Sequence, residues 1–233
     1  MVLFLDTETT GLPPEPPTPV SDTDAWPHLV EIAWQTYSAE RKQVDRNALL
    51  VCPDGFEIPE DAVDVHGITT EQAQDSGQAL NVVLEAFNGA LGEVDTIVAH
   101  NAWFDLGVLL AEFHRAGIDT PLGELPVICT MRSTTDFCAQ RGTTDGRWPS
   151  LSTLYETLTD RSPSRKHRAG ADVQTLVSCF WKLVAHNVVA PEQPGSPLEA
   201  AGSSVGEAGP ESIQTDVNVS KVESNEIPPA EER

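Results

Sequence analysis

VLFLDTETTGL, residues 2–12, sets four apolar residues directly against Asp6 and Glu8. Val2 to Leu5 reads as a strand buried within a sheet. On a strand, residues i and i+2 share a face, so Asp6 and Glu8 project together at its C-terminal end. That end is where open α/β sheets tend to bind ligands. Two acids on one side of a buried strand need a counter-charge. Either the strand stops at Leu5 and the acids begin a solvated turn, for which Thr9-Thr10-Gly11 is good material, or a cation faces them. The spacing alone favours the turn, because Asp-x-Glu is common.

Further along, Leu29–Tyr37 and Asn47–Cys52 have strand character. Residues 79–91 repeat Leu80, Val83, Leu84, Phe87 and Leu91 on one helical stripe. Thr96–His100 reads as a second buried strand, followed by a helix over Ala102–Ala116 that stops at Gly117. Pro126–Thr130 is a last short strand, and a helix runs from about Gly170 to His186. Early strands followed by alternating helices and strands give an α/β domain with a mixed sheet. Leu12–Pro27 is too rich in proline for helix or central strand and reads as a surface excursion, an insertion over about 13–27. From Ala190 to Arg233 the chain has no aromatic residue and no periodic apolar pattern. It is expected to be a disordered acidic tail following a domain at 1–189.

The 233 residues allow one sizeable core. The four cysteines form no closely spaced pair, which argues against zinc and disulfides and suits a reducing cytoplasm. The apolar start is too short for a signal peptide, and nothing approaches a membrane span. The net charge of -22 disfavours a nucleic-acid partner at first sight. Nine acids and two bases of that balance lie from Ala190 onward, while four of the fourteen bases, Arg161, Arg165, Lys166 and Arg168, fall within eight residues. They read as a solvated basic loop or as a local phosphate-steering patch.

Two more acids shift the balance at Asp6 and Glu8. Asp105 falls in the first turn of the helix after Thr96–His100, where the helix dipole alone accounts for an acid. Asp172 is harder to place, because it lies on the stripe of Leu176, Phe180 and Leu183 that should face the sheet. An ionised carboxylate there calls for a partner or a metal. His167, five residues earlier, lies about 140° away on a helix and is better placed in a loop reaching back over Asp172. A histidine beside carboxylates is a candidate general base.

FLDTETTGL, HNAWFD and HRAGAD resemble the three exonuclease motifs of the DnaQ-like Asp-Glu-Asp-Asp superfamily, His subtype. That group includes polymerase proofreading subunits, RNase T and oligoribonuclease. VHGIT at 65–69 is similar to its nucleotide pocket. The resemblance covers about Val2 to Leu183. It implies an RNase H-like fold with a five-stranded mixed sheet flanked by helices. It implies 3′→5′ hydrolysis of single-stranded nucleic acid, DNA favoured, to nucleoside 5′-monophosphates, with two Mg²⁺ or Mn²⁺ ions held by Asp6, Glu8, Asp105 and Asp172. His167 is then the base, and Thr9, Leu12, His66, Asn101 and Phe104 grip the terminal nucleotide. Asn101 reads equally as a helix cap, His66 as a turn or core residue, and Trp103 as core. A polymerase or another replication or repair protein is a candidate partner. An RNA-directed member of the superfamily and a non-catalytic binding module on the same fold remain as alternatives.

Overall fold

The computed structural model describes residues 1–12, 18–163, 167–190 and 195–197. In chain order the elements are β1 (Val2–Thr9), β2 (Leu29–Tyr37), β3 (Gln43–Leu50), α1 (Glu60–His66), α2 (Thr70–Ser76), α3 (Leu80–Leu91), β4 (Thr96–Ala99), α4 (Ala102–Ala116), β5 (Pro126–Cys129), α5 (Thr130–Ser133), α6 (Thr135–Gln140), α7 (Leu151–Thr159), α8 (Ala169–Ala185) and β6 (Gly195–Pro197). The sheet order is β3-β2-β1-β4-β5-β6. β1 pairs antiparallel with β2 and parallel with β4, and β4 pairs parallel with β5.

Five of these strands make the expected mixed sheet. The sixth, β6, adds antiparallel to β5 within the stretch expected to be a disordered tail. Edge pairing uses backbone groups, so a segment poor in apolar side chains forms it without announcing itself in composition. The remainder of that tail lies outside the described residues.

β1 does not stop at Leu5. It runs through both acids to Thr9, paired with β2 over its whole length. β4 is shorter and pairs only with Val2, Leu3 and Phe4. Beyond Phe4 the β4-facing edge of β1 therefore opens into a crevice, at the end of the sheet where β1, β4 and β5 all terminate.

The two faces of β1 carry different cores. Leu3 and Leu5 pack with Ile32, Trp34, Phe87, Leu106 and Leu109 beneath α3 and α4. Phe4 packs with Ala33, Val98, Val173, Leu176 and Phe180 beneath α8. By alternation Asp6 and Glu8 continue the α8 face, and Thr7 continues the α4 face. α7 covers the outer side of α8 through Leu154 against Cys179 and Leu183.

The proline-rich excursion is more firmly held than its composition suggests. Residues 13–17 lie outside the described part, but Trp26 is buried against α4, with Nε1 donating to the Pro19 carbonyl. A Cβ on Gly107 of α4 would lie 2.2 Å from the Trp26 ring, so the glycine makes the notch that admits it. Arg115 donates to the carbonyls of Thr23, Trp26 and Pro27 and pairs with buried Glu112. No helix among the described residues is long and apolar enough to cross a membrane.

Candidate active site

β1 and α8 build the centre of the site. One carboxylate oxygen each from Asp6, Glu8 and Asp172 fall within 4.8 Å of one another. Asp172 arrives from the first turn of α8, with Leu176, Phe180 and Leu183 buried below it as the stripe requires. Its Oδ2 accepts from the His167 backbone N–H at 2.8 Å, and His167 itself takes a left-handed conformation at φ 57°. The backbone of His167 is thus tied to the cluster, while its side chain is exposed at the rim.

Asp105 reaches the same place from the other face. Thr7 donates to its Oδ1 twice, through the backbone N–H and through Oγ1, both at 2.9 Å. In effect Asp105 occupies the edge of β1 that β4 leaves open. It is not one of the three converging carboxylates, but its charge raises the pKa of both Asp6 and Glu8.

Burial is the main reason these acids resist ionisation. It holds Asp6 well above the ordinary carboxylate range, with repulsion from Asp105, Glu8, Asp172 and Glu31 added. Glu8 is pushed up to about 8, by burial first and then by Asp172, Glu31 and Asp105, with Arg168 opposing. Asp105 rises to about 7 through burial, against the lowering effect of its bonds to Thr7. A donor set made only of crowded, poorly solvated carboxylate oxygens fits hard divalent cations such as Mg²⁺ or Mn²⁺.

The sequence reading passes over Glu31. It is paired with Glu8 across the β1–β2 ladder and lies buried on the same face. Its oxygens accept a bidentate pair from Arg168, Nε at 3.1 Å and Nη2 at 2.6 Å, and the Ala169 N–H at 2.9 Å. The signal was available: Leu29–Tyr37 carries an acid inside an apolar strand, as residues 2–9 do. Arg168 is therefore held in place by Glu31, with its side chain 49% exposed. Arg161 lies away beside Glu156 and Asp160, and Arg165 and Lys166 fall outside the described residues. Among the described residues, Arg161 and Arg168 lie beside different acidic neighbours.

The remaining candidates behave differently from one another. His66 is buried, and its Nδ1 accepts from the Ile68 N–H at 3.0 Å, which leaves the proton on Nε2. That Nε2 is buried without a hydrogen-bond partner among the described residues. Burial is the largest influence on the His66 pKa and lowers it. The Thr9 hydroxyl is committed to the Gly11 carbonyl at 2.6 Å. Leu12 is 68% exposed at the mouth. Asn101 holds the N-cap position of α4 at φ 68°, but its side chain makes no capping bond. Phe104 and Trp103 pack partly against the α4 core, Trp103 also against Trp26 at 5.4 Å between ring centres.

Residues 3–180 match the RNase T family, described as exonuclease. The chain belongs to this exonuclease family. The exonuclease domain is 31% identical over 182 residues to the DNA polymerase III PolC-type protein of Oceanobacillus iheyensis, covering 78% of this chain and 11% of that protein. It is 28% identical over 205 residues to three prime repair exonuclease 2 of Mus musculus, covering 76% and 81%. Exonuclease I of E. coli, solved in complex with a dA16 oligonucleotide, shares the fold with a TM-score of 0.61 at 19% identity, covering 79% of this chain and 40% of that one. The exonuclease domain thus corresponds to a small part of the polymerase and to less than half of exonuclease I.

Proposed function

We propose that this exonuclease domain removes nucleotides one at a time from the 3′ end of single-stranded nucleic acid, DNA in preference to RNA, releasing nucleoside 5′-monophosphates. The observation that carries the reading is the convergence of Asp6, Glu8 and Asp172 within 4.8 Å at the open end of β1, in a fold of the exonuclease family. The similarity to a repair exonuclease and to a DNA polymerase supports DNA as substrate and a polymerase or repair protein as partner. Four cysteines without a disulfide suit work in a reducing cytoplasm.

In this reading Asp6, Glu8, Asp172 and Asp105 hold two divalent cations, Mg²⁺ or Mn²⁺. Such ions, when bound, lower the pKa of an attacking water and offset charge on the scissile phosphate. The imidazole of His167, at the rim and tied by its backbone to Asp172, accepts the proton of that water. His66 offers its unpartnered Nε2–H to the terminal nucleotide, where a bound acceptor would relieve a buried donor. Phe104 and Leu12 supply apolar surface for a base without reading its sequence.

The test is a time course on 5′-labelled single-stranded DNA and RNA of one sequence, with Mn²⁺ and with Asp6→Ala alongside. The expected result is a ladder that shortens from the 3′ end, faster on DNA and absent in Asp6→Ala. Intact oligonucleotides with the parent protein would overturn the catalytic reading and favour a binding module. Faster loss of RNA would move the substrate to the exoribonuclease alternative.

A further inference from the structure

Arg168 is engaged by Glu31, which turns attention to other cations on this acidic surface as contacts for phosphates beyond the terminal nucleotide. Trp148 is the one aromatic side chain among the strongly exposed large hydrophobics of the described residues, at 46% exposure. It stands on a fixed base. Pro149 beside it is buried, and its carbonyl accepts from His100 Nε2 at 2.9 Å. The other ring nitrogen of His100 accepts from the Thr130 hydroxyl at 2.9 Å. Ser150, next in sequence, caps α7 by accepting from the Thr153 N–H. The tryptophan is thus pinned to the C-terminal ends of β4 and β5.

Those ends belong to the same rim as Asp6 and Glu8, because β1, β4 and β5 run parallel. β5 lies two strand spacings from β1, about 10 Å. A short stretch of single strand bridges that distance. One guanidinium group lies near the ring, and a second belongs to the residue preceding it in sequence. Arg132, exposed on α5, sits 5.8 Å from the Trp148 ring centre. Arg147 is 75% exposed, and its contact with exposed Asp145 at 3.7 Å is a weak surface pair. An aromatic face beside cations is how single strands are held without regard to sequence.

We propose that Trp148, Arg132 and Arg147 form a second strand-binding subsite, which stacks a base on the 5′ side of the terminal nucleotide and pairs with the phosphates beside it. This rests on the exonuclease reading, and its test separates the two. Steady-state hydrolysis is measured on a dinucleotide, too short to reach Trp148, and on a single-stranded dodecamer, with Trp148→Ala, Trp148→Phe and the double variant Arg132→Gln/Arg147→Gln. Trp148→Ala should raise KM for the dodecamer roughly tenfold and leave the dinucleotide unchanged. Trp148→Phe, which keeps a stacking face, should stay within about threefold of the parent. The arginine pair should flatten the salt dependence of dodecamer binding.

In parallel, fluorescence anisotropy follows a labelled oligothymidylate in EDTA, where no hydrolysis occurs. If the parent cleaves neither substrate, the exonuclease reading fails and anisotropy alone decides: binding weakened roughly tenfold by Trp148→Ala sustains the subsite. No binding by the parent, equal binding by parent and Trp148→Ala, or equal losses on dinucleotide and dodecamer would overturn it.

Discussion

Arg168 and Glu31 show how a pair can matter to a site without joining its chemistry. Glu31 sits across from Glu8 and would repel it, yet its carboxylate is taken up by the Arg168 fork and by the first N–H of α8. The same contact fixes the start of the helix that delivers Asp172. Glu31→Ala should therefore lower unfolding stability by roughly 2 kcal/mol, since it leaves the Ala169 N–H and the guanidinium unpaired. Arg168→Lys keeps the charge but not the fork and should fall between parent and Glu31→Ala. Urea unfolding curves measure both, and a Glu31→Ala midpoint indistinguishable from the parent would refute the account. At this scale Asp6, Glu8 and Asp172 were legible because each breaks an apolar pattern that needs no acid. Glu31 breaks the same kind of pattern, but its partner lies 137 residues away and only the fold brings it there. Asp105 was legible as a residue but not in its attachment, since the bond to Thr7 depends on where β4 stops.

Among the elements, β2 and α4 have the bounds their patterns predict, Leu29–Tyr37 and Ala102–Ala116. Both carry strong signals, an unbroken buried strand and an apolar stripe ended by Gly117. β3 starts earlier than its apolar residues, at Gln43, because an edge strand with exposed side chains forms through the ladder to β2. The short helices α1, α2, α5, α6 and α7 left little trace in the sequence, each being too brief for a stripe to repeat. The excursion before β2 was legible as an interruption, whereas its anchoring through Trp26 was not. That anchoring predicts an unusual cost at a glycine on the helix that also carries Asp105. Gly107→Ala favours the helix by intrinsic propensity. Yet the new methyl meets the Trp26 ring at 2.2 Å, so the variant should be destabilised by about 1–3 kcal/mol. A thermal melt checks the sign: a variant as stable as the parent, or more so, would mean the excursion is not held in this notch.

At the level of the whole molecule, pH, metal and stability are linked. Glu8 and Asp105 have folded pKa values near 8 and 7, above those of free carboxylates. A raised folded pKa contributes stability that is complete below the unfolded value, near pH 4, and is lost as pH climbs through the folded one. His100, depressed to about 4 by burial, acts oppositely: its contribution is present above about 6.5 and is lost as pH falls toward 4. Between pH 6.5 and 8.5 the histidine is silent and the carboxylates dominate. Metal-free protein should therefore melt lower at pH 8.5 than at pH 6.5, and Mn²⁺ should reverse the difference by favouring the ionised acids. In Asp6→Ala the metal-induced rise should shrink. Identical melting temperatures at both pH values in EDTA, unmoved by Mn²⁺, would refute this linkage.

The early end of β4 also bears on how an inactive form of this protein should be made. Asp105 accepts two bonds from Thr7 and so closes an amide on the bare edge of β1. Replacing it by alanine removes a carboxylate from the site and at the same moment leaves a buried amide and hydroxyl without a partner. Loss of turnover in such a variant would mix chemistry with local destabilisation. Asp6, whose removal leaves that edge closed, gives the cleaner knockout.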